Sequence, residues 1–211
     1  MKRILDVVLS ALALLVLSMP MLLIALLIRW DSPGGALFVQ RRVGRHLVPF
    51  DIYKFRTMHH RRADEIDPLV EGVIDSEHAR ITRIGRVLRA TSLDELPQLL
   101  NVLKGDMSLV GPRPVLIEQV EAVPARYLNR FSVRPGLTGL AQVRGRRSLG
   151  WLQQLELDCH YAERVSIGLD LRLMLATVHV VLTFKDIYGG TEQNWRQYRN
   201  GRCRHDVEES K

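Results

Sequence analysis

The chain opens on a long apolar run. From Val7 to Ile28 only Ser10, Ser18 and Pro20 interrupt it, and a helix of roughly 20 such residues crosses a bilayer. A secretory signal fits poorly, because the run is too long and Arg29-Trp30-Asp31 follows it where a small-residue cleavage site would stand. Pro20 predicts a kink, since it lacks a backbone donor and clashes with the preceding turn. Before it, Val7 to Met19 rises about 20 Å, and after it Met21 to Ile28 rises about 12 Å. Each arm falls short of a hydrocarbon core of about 30 Å. Lys2 and Arg3 precede the run, and Arg29, Arg41, Arg42 and Arg45 follow it, so the positive-inside rule draws both ends to the cytoplasm. A bent helix that enters and leaves on one face meets both demands; a kinked single span is the alternative.

Beyond Asp31 the pattern shortens. Ser32-Pro33-Gly34-Gly35 reads as a turn, and Phe38 to Gln40 and Phe50 to Phe55 as short strands joined by a basic loop. His59 to Pro68 is charged, a surface loop or helix. Arg80 to Leu103 has helical spacing with a break near Thr91-Ser92, Gly105 to Pro114 reads as a loop, and Glu118 to Phe131 as another helix. Arg134 to Gly139 reads as a tight turn, followed by helices over Gln153 to Glu163 and Asp170 to Phe184. The last of these is apolar apart from Arg172, Thr177 and His179, yet too short to span. It is either a core helix or one lying at a membrane interface. The expected fold is helix-rich α/β: a Pro-kinked re-entrant membrane helix over 1–30, a compact cytoplasmic catalytic domain over 31–188 with short strands and interfacial amphipathic helices, and a polar tail over 189–211.

With 211 residues the chain holds one domain with a sizeable core. Its net charge of +7 suits nucleic acid, anionic lipid or phosphorylated small molecules. Aromatic residues make up 6% of the chain and no nucleic-acid motif is present, which leaves base stacking poorly supplied. Cys159 and Cys203 form no metal or disulfide framework, which fits a reducing compartment.

Chemistry concentrates in Arg80 to Gln98. Arg80, Arg83, Arg86 and Arg89 recur every third residue, so on a helix they drift slowly round one side and can converge on an anion. A solvated face is the ordinary alternative. Asp94 and Glu95 follow. Ser92-x-x-Glu95 has the form of a capping box, and Pro97 belongs in a first turn, so a helix starting near Asp94 is one reading. A nucleophile beside a metal ligand is the other, because carboxylates accept phosphoryl groups and Mg²⁺ takes carboxylate and phosphate oxygens. Asp170 has the position of an N-cap for the last helix.

Three ordered motifs extend this: Ser92-Leu93-Asp94-Glu95-Leu96-Pro97-Gln98, Gly105-Asp106-Met107-Ser108-Leu109-Val110-Gly111-Pro112-Arg113-Pro114, and Arg134-Pro135-Gly136-Leu137-Thr138-Gly139. With Lys54-Phe55-Arg56-Thr57-Met58 and the order of parts from Lys2 to about Lys185, the chain resembles the bacterial sugar transferases, the monotopic polyprenyl-phosphate phosphoglycosyl transferases in their minimal form. The resemblance implies attachment at the cytoplasmic face of the bacterial inner membrane, with anionic headgroups around it. It implies transfer of a sugar-1-phosphate from a UDP-sugar to polyprenyl phosphate with release of UMP. Asp94 falls at the family nucleophile, Glu95 at the Mg²⁺ ligand, and Lys54, Arg89, Arg113 and Asp170 at active-site positions; Arg83 and Arg86 are further candidates for phosphate. The family break sets serine directly before proline, whereas here Met19 separates Ser18 from Pro20. After Gln142-Val143 the family often has Asn-Gly-Arg, where Arg144-Gly145-Arg146-Arg147 stands here. A homo-oligomer is compatible with this reading, and nucleic acid is not an expected partner. The rivals are a basic membrane scaffold, a tethered nucleic-acid binder and an Mg²⁺-dependent phosphohydrolase.

Overall fold

The computed structural model describes residues 1–59, 80–145 and 149–182, together with Trp195 and Tyr198. Helix α1 (Lys2–Asp31) is unbroken through Pro20. Pro20 supplies no N–H to the carbonyl of Val16, and the Ser18 hydroxyl donates to the Leu15 carbonyl at 2.8 Å. Both ends of α1 are fastened to the rest of the chain. At the start, the Lys2 ammonium lies 2.6 Å from the Asp170 carboxylate, and Arg3 donates to the carbonyls of Val102 and Leu103 at 2.6 and 3.0 Å. Asp6 is buried and accepts from the Ser108 hydroxyl and the Leu109 N–H. At the far end Ile28 packs with Phe55 and Leu88. Between them, no residue from Ala11 to Leu27 is buried.

Strands β1 (Leu37–Val43) and β2 (Pro49–Phe55) pair antiparallel, with Phe38 opposite Lys54 and Arg42 opposite Phe50. A 3₁₀ turn, Arg45–Leu47, joins them. Strand β3 (Ser108–Val110) pairs in parallel with β4 (Gly136–Thr138). These two strands correct the loop expected over Gly105 to Pro114 and the turn expected over Arg134 to Gly139. Glycine is the physical reason: a Cβ on Gly136 would collide with the backbone of Gly111, and one on Gly139 with the Gly111 carbonyl, so only bare backbone allows the approach.

Helix α2 (Arg83–Thr91) is capped by Thr82, whose hydroxyl accepts from the Gly85 N–H, and α3 spans Gln98–Lys104. The break near Thr91-Ser92 is present, with Ser92 in the left-handed region at φ 59°. The helix expected over Glu118 to Phe131 divides into α4 (Ile117–Val120) and a 3₁₀ stretch, Ala125–Ser132. Pro124 accounts for this, since it removes a donor and disfavours a helical residue before it. Short α5 (Leu140–Arg144) precedes α6 (Trp151–Glu163) and α7 (Ile167–Leu182). The tail expected over 189–211 contributes to the core at both described residues: Trp195 is buried with Val43, Phe131, Trp151 and Leu155, and Tyr198 packs against the same cluster. The charged stretch from His60 to Pro68, and Arg146 and Arg147, lie outside the described residues.

Candidate active site

Asp94 and Glu95 sit on a 3₁₀ turn, Leu93–Glu95, wedged between α2 and α3. The turn exists because Ser92 ends α2 with positive φ and Pro97 opens α3, where its missing N–H has no helical partner to lose. The capping-box reading does not hold. Ser92 makes no side-chain cap bond, and Glu95 is engaged elsewhere: its Oε1 accepts from Lys54 Nζ and from Arg113 Nη2, each at 2.8 Å. Lys54 comes from β2 and Arg113 from the Pro112-Arg113-Pro114 segment after β3, so the turn, the hairpin and the β3 exit meet on one carboxylate.

Asp94 is half-buried and its carboxylate accepts no hydrogen bond among the described residues. Burial raises its pKa to about 6, Glu95 adds to the rise, and Lys54, Arg113 and Arg89 oppose it. For Glu95, burial pushes upward as well, but Arg113 and Lys54 outweigh it and hold the carboxyl well below the usual range. The pair is therefore split: Glu95 is a fixed anion, and Asp94 is an anion above about pH 6 that no hydrogen bond occupies. In the metal-free chain, the Asp94 carboxyl should titrate about two units above an ordinary aspartate. Carbon-13 NMR of labelled aspartates reads this directly; the midpoint should fall on adding Mg²⁺, since a nearby cation favours the ionised form. A midpoint near 4 without metal would remove the proposed burial of Asp94.

Among the described residues no three His, Cys, Asp or Glu side chains form a metal cluster. The site still fits Mg²⁺, which takes one or two carboxylates and completes its shell with phosphate and water. Glu95 Oε2 and the Asp94 oxygens are the donors left over once Lys54 and Arg113 have taken Oε1.

The other expected site residues separate. Arg89 is half-buried near Asp94, with Nη1 3.8 Å from the Met58 sulfur. Arg83 and Arg86 lie exposed on α2, outside the ion pairs around Glu95. Asp170 is not the N-cap that its position suggested. It lies in the first turn of α7, whose N-cap hydroxyl is that of Ser166, accepting from Leu169 N–H at 3.2 Å. Its two oxygens accept from Tyr161 and Lys2 and it is 2% exposed, so it helps to anchor the start of α1. Sequence reasoning missed Arg130 and Asp158. They form a buried ion pair at 2.7 Å, and Arg130 Nη2 also donates to the Arg113 carbonyl at 2.8 Å. Neither belongs to a spaced motif, so no pattern marked them.

A carboxylate pair set among Lys54, Arg89 and Arg113, in a domain fastened to both ends of an apolar helix, defines a membrane-associated protein that handles phosphorylated compounds. The chain belongs to the bacterial sugar transferase family, whose model matches residues 1–184. It is 48% identical to the UDP-glucose:undecaprenyl-phosphate glucose-1-phosphate transferase of Caulobacter vibrioides, over 89% of this chain and 72% of that protein. It is 43% identical to the exopolysaccharide production protein PSS of Rhizobium leguminosarum bv. phaseoli, over 87% of this chain and 96% of that one. It is 39% identical to the UDP-glucose:undecaprenyl-phosphate glucose-1-phosphate transferase of Escherichia coli, over 84% of this chain and 39% of that one.

Proposed function

We propose that this chain is a phosphoglycosyl transferase that moves a sugar-1-phosphate from a UDP-sugar to polyprenyl phosphate at the cytoplasmic face of the inner membrane. The observation that carries the reading is Asp94: accessible, free of hydrogen bonds among the described residues, and flanked by cations. Its carboxylate oxygen attacks the sugar-bearing phosphorus of the UDP-sugar. The bond from that phosphorus to the UMP oxygen breaks, and UMP leaves. An oxygen of polyprenyl phosphate then attacks the same phosphorus, the bond to Asp94 breaks, and the lipid carries away a sugar diphosphate. Lys54, Arg89 and Arg113 stand where negative charge shifts during both displacements. Glu95 would hold Mg²⁺, which when bound neutralises diphosphate charge and eases departure of UMP.

Placement at the membrane is supported by α1. Its ends are bound to one domain while its middle is bare and apolar. A helix dipping into one leaflet and returning accounts for this, with Ser18 and Pro20 at the bend. Leu171, Leu175 and Val178 are exposed on one side of α7 and supply an apolar face for the interface. The names of the relatives make UDP-glucose the first donor to test. Purified full chain with UDP-glucose and undecaprenyl phosphate should release UMP one-for-one with lipid-linked sugar. Free sugar phosphate formed without lipid would favour a phosphohydrolase, and silence across a panel of UDP-sugars would end the transferase reading.

A further inference from the structure

The alternation of β1 puts Phe38, Gln40 and Arg42 on one face of the hairpin, the face that Lys54 shares through its pairing with Phe38. Arg41, on the other face, is exposed and paired with Asp51 at 3.1 Å. Arg42 differs in every respect. It is half-buried and has no carboxylate partner among the described residues. Its Nε and Nη2 donate to Gln40 Oε1 at 3.1 and 2.7 Å, and its Nη1 to the Pro114 carbonyl at 3.4 Å. A guanidinium has five N–H groups, so one on each terminal nitrogen is left over. The Pro114 bond sets this fork beside Arg113, and the Val43 N–H, donating to the Val115 carbonyl at 2.9 Å, stitches the strand to the same segment.

Cations thus outnumber carboxylates here: Arg42, Lys54, Arg89 and Arg113 against Asp94 and Glu95. Burial lowers the Arg42 pKa to about 10, and Arg113 contributes as a like charge. A half-buried guanidinium held by neutral acceptors, next to a second guanidinium, is relieved by an oxyanion. We propose that Arg42, aimed by Gln40, is a binding residue for the diphosphate of the nucleotide donor, with Gln40 as its positioning residue. This rests on the transferase reading and adds to the site a residue outside the motifs that mark the family resemblance.

UDP, an unreactive diphosphate, is the probe. Full chain in detergent with Mg²⁺ is titrated calorimetrically. Arg42→Gln should weaken UDP binding by about tenfold or more, the effect of losing charge-assisted hydrogen bonds. Gln40→Ala, which keeps the charge but frees the fork, should weaken it by a smaller factor, and Arg42→Lys should recover part of the loss. In turnover, the Gln40→Ala change should appear in KM for the UDP-sugar with kcat little altered, a split that a loss of folding would not give. Thermal melting of the Gln40→Ala chain separates unfolding from weaker binding. UDP affinity unchanged in both Arg42→Gln and Gln40→Ala, or no UDP binding by the wild-type chain, overturns the assignment. The outcome is independent of catalysis: if the wild-type chain releases no UMP from any UDP-sugar, the transferase reading fails while the titration still decides the role of Arg42.

Discussion

Asp94→Asn should abolish sugar-phosphate transfer, with a loss of roughly a thousandfold or more, and should abolish covalent labelling of the chain by a UDP-sugar carrying phosphorus-32 at the sugar-bearing position. The substitution keeps the shape and removes the anion. An amide oxygen is a poor nucleophile toward phosphorus, and the neighbouring carboxylate, Glu95, is held in place through Oε1 by Lys54 and Arg113. The same substitution should not lower thermal stability. In the folded chain burial and Glu95 both raise the Asp94 pKa, so its charge is disfavoured by folding at neutral pH and a neutral isostere removes that cost. Lost turnover with undiminished melting temperature would separate a chemical role from a structural one. Glu95→Gln should behave differently. It strips Lys54 and Arg113 of their shared negative charge, leaving a neutral amide oxygen as acceptor, and should weaken the dependence on Mg²⁺, with labelling reduced. An Asp94→Asn chain that turns over at the wild-type rate would defeat the nucleophile assignment outright.

The sequence disclosed those parts of the fold that depend on local rules. The apolar run of α1, the strand alternation up to Phe55 and the break at Ser92 all follow from periodicity and turn chemistry. Legibility failed where backbone approach decides. β3 and β4 are three residues each, too short for an alternation to register, and they pair because Gly111, Gly136 and Gly139 allow contact that no hydropathy pattern encodes. In the site, Asp94 and Glu95 were visible as a motif, but the choice between cap and chemistry was not. Ser92-x-x-Glu95 carries the same letters in either case, and it is the reach of Lys54 and Arg113 across 41 and 18 residues that rules out the capping box. Asp170 misled as a cap for the converse reason. Its position suits an N-cap, while its ion pair is with Lys2, 168 residues away. Arg42 was legible only as one more positive charge beside the membrane segment.

Arg130→Met should produce the largest loss of stability. Arg130 and Asp158 have side chains only 3% and 4% exposed, and removing one member of such a pair leaves a buried carboxylate without its counter-charge, at a cost of about 3–5 kcal/mol. For a chain of this length that corresponds to a fall in Tm of roughly 10 °C. The effect should depend on pH with a defined sign. Burial already raises the Asp158 pKa against the pull of Arg130, and without Arg130 it rises further. The folded state then binds a proton that the unfolded state releases above its ordinary carboxyl pKa of about 3.9. Stability of Arg130→Met should therefore increase as pH falls toward that value and decline as pH rises through the raised folded value. Pairing it with Asp158→Leu removes the stranded charge and should restore most of the stability. Activity should not return with it. Arg130 Nη2 also holds the Arg113 carbonyl, and Arg113 is the side chain that fixes Glu95; an apolar pair restores packing but leaves that backbone without its donor. A double variant that regained both stability and turnover would show that the ion pair serves the fold alone.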